Sequence, residues 1–352
     1  MPDEILQEWG FTDGGENDVL AKRPYITANG ETRIAYNTGK FDANGAPIYG
    51  EQRLQTNGTL RKDEWKRIDD AILESARQRF VIVDDLRAAG MVQPLGGLGV
   101  LISEWETSSE MGDAEVSMDG ETKNTKDRPV FGMDGVPVPL IHKDFKFGER
   151  AMLASRTRGS ALDVTGGTEA AISVARRLET LVFSGAAALG TSSGYTLQGL
   201  YNRTGRTTTS LSDWTLTATT TETIFKEIMG MVKTANTTLR RYGPFNLYIP
   251  GDVKHRFSED FKANSDKTLR QRILEEDEIA AIRVSDGNPT KQVALLEMTR
   301  GAMDLAIASD VATIQWSSGS GFTHNFKTFA AMAPRIKKDF GGRFGYIHGI
   351  MS

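Results

Sequence analysis

Residues 115–147 read EVSMDGETKNTKDRPVFGMDGVPVPLIHKDFKF, a hairpin whose tip has nothing to bury. Its returning side, from Val130 to Phe147, alternates apolar and polar residues and carries valine, proline and phenylalanine. The tip, from Asp119 to Arg128, holds Glu121, Lys123, Lys126, Asp127 and Arg128 and no large apolar side chain. A two-stranded ribbon alone in water is marginal at best, so this chain must fold in a way that gives the ribbon a support. The first 58 residues raise the same problem. They are polar, with turn pairs Asn29-Gly30, Asn44-Gly45 and Asn57-Gly58 between short β-prone pieces, and they lack an amphipathic helix. Such a stretch reads as an extended arm of strands and turns, too poor in apolar groups for a core of its own. Arm and ribbon are then either disordered or ordered by neighbouring copies of the same protein, where extended segments gain main-chain pairing and buried area. Many modest contacts of that kind add up in a closed assembly.

The rest of the chain carries ordinary core material. Residues 63–80 place Trp65, Ile68, Ile72, Ala76 and Phe80 on one helical face, with Asp63 and Glu64 at the positive end of the dipole. FVIVDDL and GLGVLISEW then read as strands around a glycine turn. A second helix spans 168–184, with Ile172, Ala175, Leu178 and Val182 as its stripe and Gly185 at its C-terminal cap; Glu169, Arg176, Arg177 and Glu179 fall on the opposite side. Residues 190–221 form a loop or hairpin region rich in glycine, serine and threonine. A third helix runs over 222–240, with Phe225, Ile228, Val232, Ala235 and Leu239 on one face, and Gly243-Pro244 ends it. FNLYIP is a short buried strand, two further helices fall within 251–276, and strands follow: IAAIRVSD, QVALLEM, MDLAIAS, VATIQWS, HNFKTFAAMAPRIKKDF and a short one near FGYIH. Helical and sheet segments are interspersed, an α+β chain whose 352 residues suffice for two or three lobes.

Several function classes lose support at this level. Without cysteine there are no disulfides, no thiolate catalysis and no cysteine-ligated metal. The net charge of −4, from 42 basic and 46 acidic residues, lacks the basic excess of a protein that grips nucleic acid along its surface. No apolar run has the length to span a membrane, and the acidic N-terminus has no apolar signal core. Gly190-Thr191-Ser192-Ser193-Gly194 matches the G-x-S-x-G pattern of a hydrolase nucleophile, but it follows a helix and opens a polar loop, whereas the motif needs a strand before and a helix after. His142, His255, His324 and His348 are scattered, with no ligand spacing among them. Gly96-Gly97-Leu98-Gly99 lacks the third glycine and the helix of a dinucleotide turn. The run Glu275-Glu276-Asp277-Glu278 reads as a solvated edge. No catalytic residue, metal or cofactor is expected.

The order of parts resembles the Hong Kong 97-like shell proteins, which comprise the major capsid proteins of tailed bacteriophages and the encapsulins. LRKDEWKRIDDAILESARQRF is similar to the family's first helix, VDDLRAAGMVQPLGGLGV to the strand and glycine turn after it, and the ribbon to its extended E-loop. DFKFGERAMLASRTRGSALDVTGGTEAAISVARRLETLVFSG resembles the run into the long spine helix, with a Phe-x-Gly ending at Phe183 and Gly185. LQGLYN, TLRRYGPFNLYIP and GAMDLAIASDVATIQW are similar to the axial domain, and HNFKTFAAMAPRIKKDF to the return strands of the peripheral domain.

The resemblance implies an N-terminal arm (1–60), peripheral-domain segments (61–104, 148–189 with the spine helix, and 311–352), an E-loop (105–147) and an axial domain (190–310). It implies a phage head protein assembled in the bacterial cytoplasm into the hexamers and pentamers of an icosahedral virion shell. That shell encloses double-stranded DNA without reading its sequence, beside a portal, a separate scaffolding protein or none, and a decoration protein. The ribbon then rests on a neighbouring subunit, with Lys123, Lys126, Asp127 and Arg128 as the first contacts. Spine charges Arg176, Arg177 and Glu179 and strand charges Arg335, Lys337 and Lys338 come second. Exposed pairs of this kind are individually weak and specify register more than strength. Lys123 and Lys126 are available for the covalent cross-link that some relatives form, but no asparagine partner stands out, so the cross-link is not predicted. The arm favours a virus over the alternative, an encapsulin compartment; a serine hydrolase using Ser192 is the remote third reading.

Overall fold

A computed structural model describes residues 25–26, 32–41, 47–53, 62–77, 79–114, 116, 118, 127–158, 164–190, 194–262, 266–317 and 323–352. In the arm, β1 (Tyr25–Ile26), β2 (Thr32–Phe41) and β3 (Pro47–Arg53) form one antiparallel sheet in that order. The first helix, α1 (Lys62–Arg77), buries Trp65, Ile68, Ile72 and Ala76, with Phe80 just past its end, as the spacing predicts. Each fully buried large apolar side chain of this stripe contributes roughly 1.5–3 kcal/mol.

The next segment corrects the sequence reading. Residues 82–88 are a helix, α2 (Ile82–Ala88), not a strand. Ile82, Val83 and Leu86 are buried at helical spacing, and Asp84 and Asp85 lie in the first turn, where the dipole favours negative charge. β4 (Val92–Pro94), β5 (Ile102–Ser108), β6 (Phe131–Pro137) and β7 (Leu140–Gly148) follow. A helix absent from the sequence reading, α3 (Glu149–Arg158), leads to the long helix α4 (Thr165–Ser184), which starts three residues earlier than its apolar stripe suggests.

Beyond it come β8 (Ala186–Gly190), β9 (Thr196–Leu197), β10 (Thr207–Leu211) and α5 (Thr221–Thr234), whose last turn widens into a π-helix over Ala235–Leu239. β11 (Phe245–Ile249), a 3-10 helix (Gly251–Ser258) and α6 (Leu269–Leu274) come next. A capping box between Thr268 and Gln271 starts α6. The chain closes with β12 (Ile279–Val284), β13 (Gln292–Glu297), β14 (Met303–Ser317), β15 (Thr323–Ile336) and β16 (Tyr346–Met351). MDLAIAS and VATIQWS are thus one strand, broken in register around Ser309. That irregularity carries Asp310, which pairs with Arg87 of α2 at 2.9 Å.

Two cores result. The first packs α1, α2 and α4 against a sheet of order β4-β14-β15-β7. The second packs α5 and α6 against a mixed sheet of order β10-β16-β13-β11-β12. This second sheet is shared between them. Phe245, Leu247 and Ile249 of β11 face the second core while Tyr248 faces the first, and on β13 Val293 and Leu295 alternate in the same way with Ala294 and Leu296. Both faces are covered, which is why VALL reads as an unbroken apolar run and all five residues of FNLYI, Asn246 among them, are buried.

Candidate assembly surfaces

β5 and β6 form a ribbon, in register from Ile102 opposite Pro137 to Ser108 opposite Phe131, but its returning side ends at Pro137 rather than Phe147, because Leu140–Gly148 pairs with β15 in the first sheet. Burial fades along β6: Gly135, Val136 and Pro137 are buried, whereas Phe131, Gly132 and Met133 are exposed. The ribbon's root is therefore held by its own subunit. Arg335 is the main bolt. Its guanidinium grips Asp304 with two hydrogen bonds of 2.6 Å, donates to Ser103 Oγ on β5 at 3.4 Å, and lies 5.7 Å from the ring centroid of Trp105. Lys337 Nζ adds a third donor to Asp304 at 2.6 Å. On the other side Arg203 pairs with Asp134, and a Cβ on Gly135 would stand 2.8 Å from the Tyr195 ring.

Further out the ladder gives way to a neck. Ser109 N donates to Val130 O and Val130 N to Ser109 Oγ, each at 2.9 Å. The Asp127 carboxylate accepts the backbone N–H groups of Gly112 and Arg128, both at 2.8 Å. A tight turn over 339–343 clasps the neck, with Glu110 N donating to Phe340 O at 2.8 Å and Arg343 facing Glu110 at 3.6 Å. Between turn and ribbon lies a cleft of about 370 Å³, bordered by Phe131, Phe340, Lys338 and Arg241. Met111, Val130, Phe131, Met133 and Phe340 are all more than half exposed around this region. Contiguous exposed apolar side chains rimmed by polar ones are the composition of an interaction surface.

These placements sort the expected contact residues. Arg128, Arg176, Arg177 and Lys338 are exposed. Lys123 and Lys126 lie outside the described residues. Asp127 is exposed, yet its carboxylate clips the neck of its own loop. Lys337 and Arg335 are engaged on Asp304 within the subunit, and Arg335 is buried, which corrects its expected role as an exposed inter-subunit contact. Glu179 is corrected likewise. It is 1% exposed, and its carboxylate accepts the N–H groups of Val81 at 2.9 Å, Ile82 at 3.3 Å and Val83 at 3.1 Å and the Ser285 hydroxyl at 2.8 Å. It caps α2 from the middle of α4, and burial raises its pKa against the pull of those donors. Sequence reasoning missed Phe131, Met133 and Phe340; the available signal was a bare phenylalanine in the polar turn Lys338-Asp339-Phe340-Gly341-Gly342.

The Phe-x-Gly ending of α4 has a steric cause. Gly185 has φ +64, and a Cβ there would sit 2.5 Å from the backbone nitrogen of Gly199. The close approach lets Leu200 N donate to Val182 O at 3.0 Å and Tyr201 N to Phe183 O at 2.8 Å. LQGLYN is thereby stitched to the helix end, and Tyr201 stacks on Phe183 at 5.6 Å.

Ser192 lies outside the described residues; Gly190 ends β8 and β9 pairs back on it, so a strand rather than a helix follows the G-x-S-x-G segment. Among the described residues no group of three or more His, Cys, Asp or Glu side chains is placed to hold a metal, and no helix is long and apolar enough to cross a membrane. His142 and His255 are exposed. His324 is buried against Glu149. His348, also buried, accepts at Nδ1 from Arg206 Nε at 3.1 Å and stacks on Tyr201 at 4.3 Å.

The chain is 27% identical over 285 residues to the "Type 1 encapsulin shell protein EncA" of Myxococcus xanthus, a match covering 79% of this chain and 90% of that one. Among solved structures, the virus-like particle from Pyrococcus furiosus superposes with a TM-score of 0.59 at 18% identity, over 81% of this chain and 98% of that one. The capsid of Myoviridae phage XM1 gives 0.56 at 14% identity, over 78% of this chain and 93% of that one. The fold is accordingly a mixed α+β fold that resembles those of the Hong Kong 97-like capsids and encapsulins. A family model described as "Family of unknown function (DUF6260)" matches residues 55–349, and the chain belongs to that family.

Proposed function

We propose that this protein is a shell subunit that self-assembles into a closed icosahedral compartment, and that the compartment is of the encapsulin type. The likeness to the Myxococcus xanthus shell protein carries this reading, because it spans nearly the whole length of that relative. The exposed apolar rim of the ribbon agrees with it, since Phe131, Met133 and Phe340 are left uncovered by the described residues and gain burial against another molecule. Arg128, Arg176, Arg177 and Lys338 are the inter-subunit contacts among the described residues, joined by Lys123 and Lys126 at the loop tip. The mechanism is geometric: similar subunits meet through arm and ribbon, and the shell closes by symmetry.

The second reading, a phage head protein around double-stranded DNA, is supported by the likeness to the phage XM1 capsid. Electron microscopy of the protein expressed alone tests the shell. Closed particles of uniform size are expected; monomers and small oligomers under all solution conditions would oppose it. Mass spectrometry of purified particles separates the two forms. One co-purifying protein in fixed ratio supports the compartment, and particles that fill only with DNA, through other head proteins, support the virus.

A further inference from the structure

β7 is the terminal strand of the first sheet, bonded to β15 on one side and open on the other among the described residues. Nine residues of open edge present a row of N–H and C=O groups, a template for an added strand. The rim of this edge is cationic. Lys143, Lys146 and Arg150 are exposed, and Lys327 stands on the adjacent strand. Of the nearby carboxylates, Asp144 faces Lys327 at 3.6 Å and Glu149 is taken by His324. Phe145 and Phe147 are half-buried, their rings 5.2 Å from that of Phe326, which leaves apolar edges for a further strand to cover. Pairing β7 with β7 of a second copy sets two cationic rims against each other, which is unfavourable across strands. The edge calls for an acidic strand with aromatic residues.

The chain itself contains one. Its first 21 residues, MPDEILQEWGFTDGGENDVLA, hold Asp3, Glu4, Glu8, Asp13, Glu16 and Asp18 and no lysine or arginine. In an extended conformation Ile5, Trp9 and Phe11 fall on one face and Glu4 and Glu8 on the other. Reach is ample: the 24 residues before β1 span up to about 80 Å when extended. β1 lies against α1, α1 packs on α4, and α4 packs on β7. We propose that residues 3–11 of this chain add to the open edge of β7. Glu4 and Glu8 lie beside His142 and Lys146, and Ile5, Trp9 and Phe11 cover the rims of Phe145 and Phe147. This gives the arm of the shell reading a defined seat, and its test reads out whether or not particles close.

The absence of cysteine makes the full-length chain well suited to cross-linking. Glu8→Cys/Lys146→Cys is compared with Glu8→Cys/Lys254→Cys, whose second site is exposed on the 3-10 helix of the other core. A short bismaleimide is expected to join the first pair at least about 5-fold more efficiently, and a link within one chain or between two supports the proposal equally. Independently, Glu4→Lys/Glu8→Lys is expected to speed hydrogen exchange of the β7 amides at least about 10-fold. Adding His142→Glu/Lys146→Glu in the same chain is expected to restore protection. Equal cross-linking of the two pairs, or β7 exchange indifferent to the charge changes, overturns the proposal.

Discussion

The Glu179 carboxylate accepts the backbone N–H of Val81 at 2.9 Å, so a side chain of α4 caps a helix whose N-cap residue lies 98 residues earlier. Ser285, on the loop after β12, donates to the same carboxylate at 2.8 Å, and Gly287 packs so closely that a Cβ there would meet that of Glu179 at 2.5 Å. Both cores thus meet at one buried group. Asp85 of α2 strengthens the joint: it accepts from the Tyr248 hydroxyl at 3.0 Å and pairs with Arg283 at 3.1 Å.

Replacing Glu179 by alanine removes the cap and leaves buried N–H groups without acceptors. A loss of about 2–4 kcal/mol is expected, read as a lower urea midpoint. Glu179→Gln keeps an acceptor in place and is expected to lose less. Equal losses would show that a single amide oxygen in that place restores none of the cap.

Asp304 is 3% exposed and holds both Arg335 and Lys337. Asp304→Ala leaves two cations unpaired, Arg335 buried among them, and is expected to cost about 3–5 kcal/mol. Because Arg335 also carries Trp105 and Ser103, the variant is expected to admit protease cleavage within the ribbon root before global unfolding. Cleavage at the wild-type rate would detach the bolt from the ribbon.

His348 is pushed down to about 4, by burial first and by the Arg206 charge second. Its neutral form is favoured in the fold, so between about pH 6.5 and 4 the unfolded chain binds the extra proton. The stability from this group is complete above about pH 6.5 and is lost as pH falls toward 4. His348→Gln, which can still accept from Arg206, is expected to flatten that part of the profile. Unfolding measured at pH 7, 5.5 and 4 checks it, and parallel profiles would refute it.

Phe131→Ser/Phe340→Ser touches two exposed rings at the ribbon neck. Subunit stability is expected to shift by no more than about 0.5 kcal/mol per site. Closed particles are expected to fall in yield, since each lost anchor weakens every copy of the contact. Deleting residues 119–128 is expected to do the same: a folded subunit that forms no closed shell. Normal particles from either variant would remove the neck and tip from the assembly contacts.

The amino-acid sequence by itself determined the elements whose burial pattern is local. The stripes of α1, α4 and α5, the apolar runs of β11 and β13, and the unsupported ribbon follow from side-chain spacing alone, because one face of a regular element must meet a core. Tertiary structure decided the rest. FVIVDDL became a helix because a carboxylate supplied from α4 caps it. α3 escaped notice because it carries no apolar stripe, with Met152 buried and Leu153 exposed. Arg335 and Glu179 turned inward because Asp304 and the start of α2 await them there. Spacing tells which face of an element is apolar, but the direction a charged side chain takes depends on partners 31 and 98 residues away. Desolvating an ion is favourable only where such partners converge, and that convergence exists only in the folded chain.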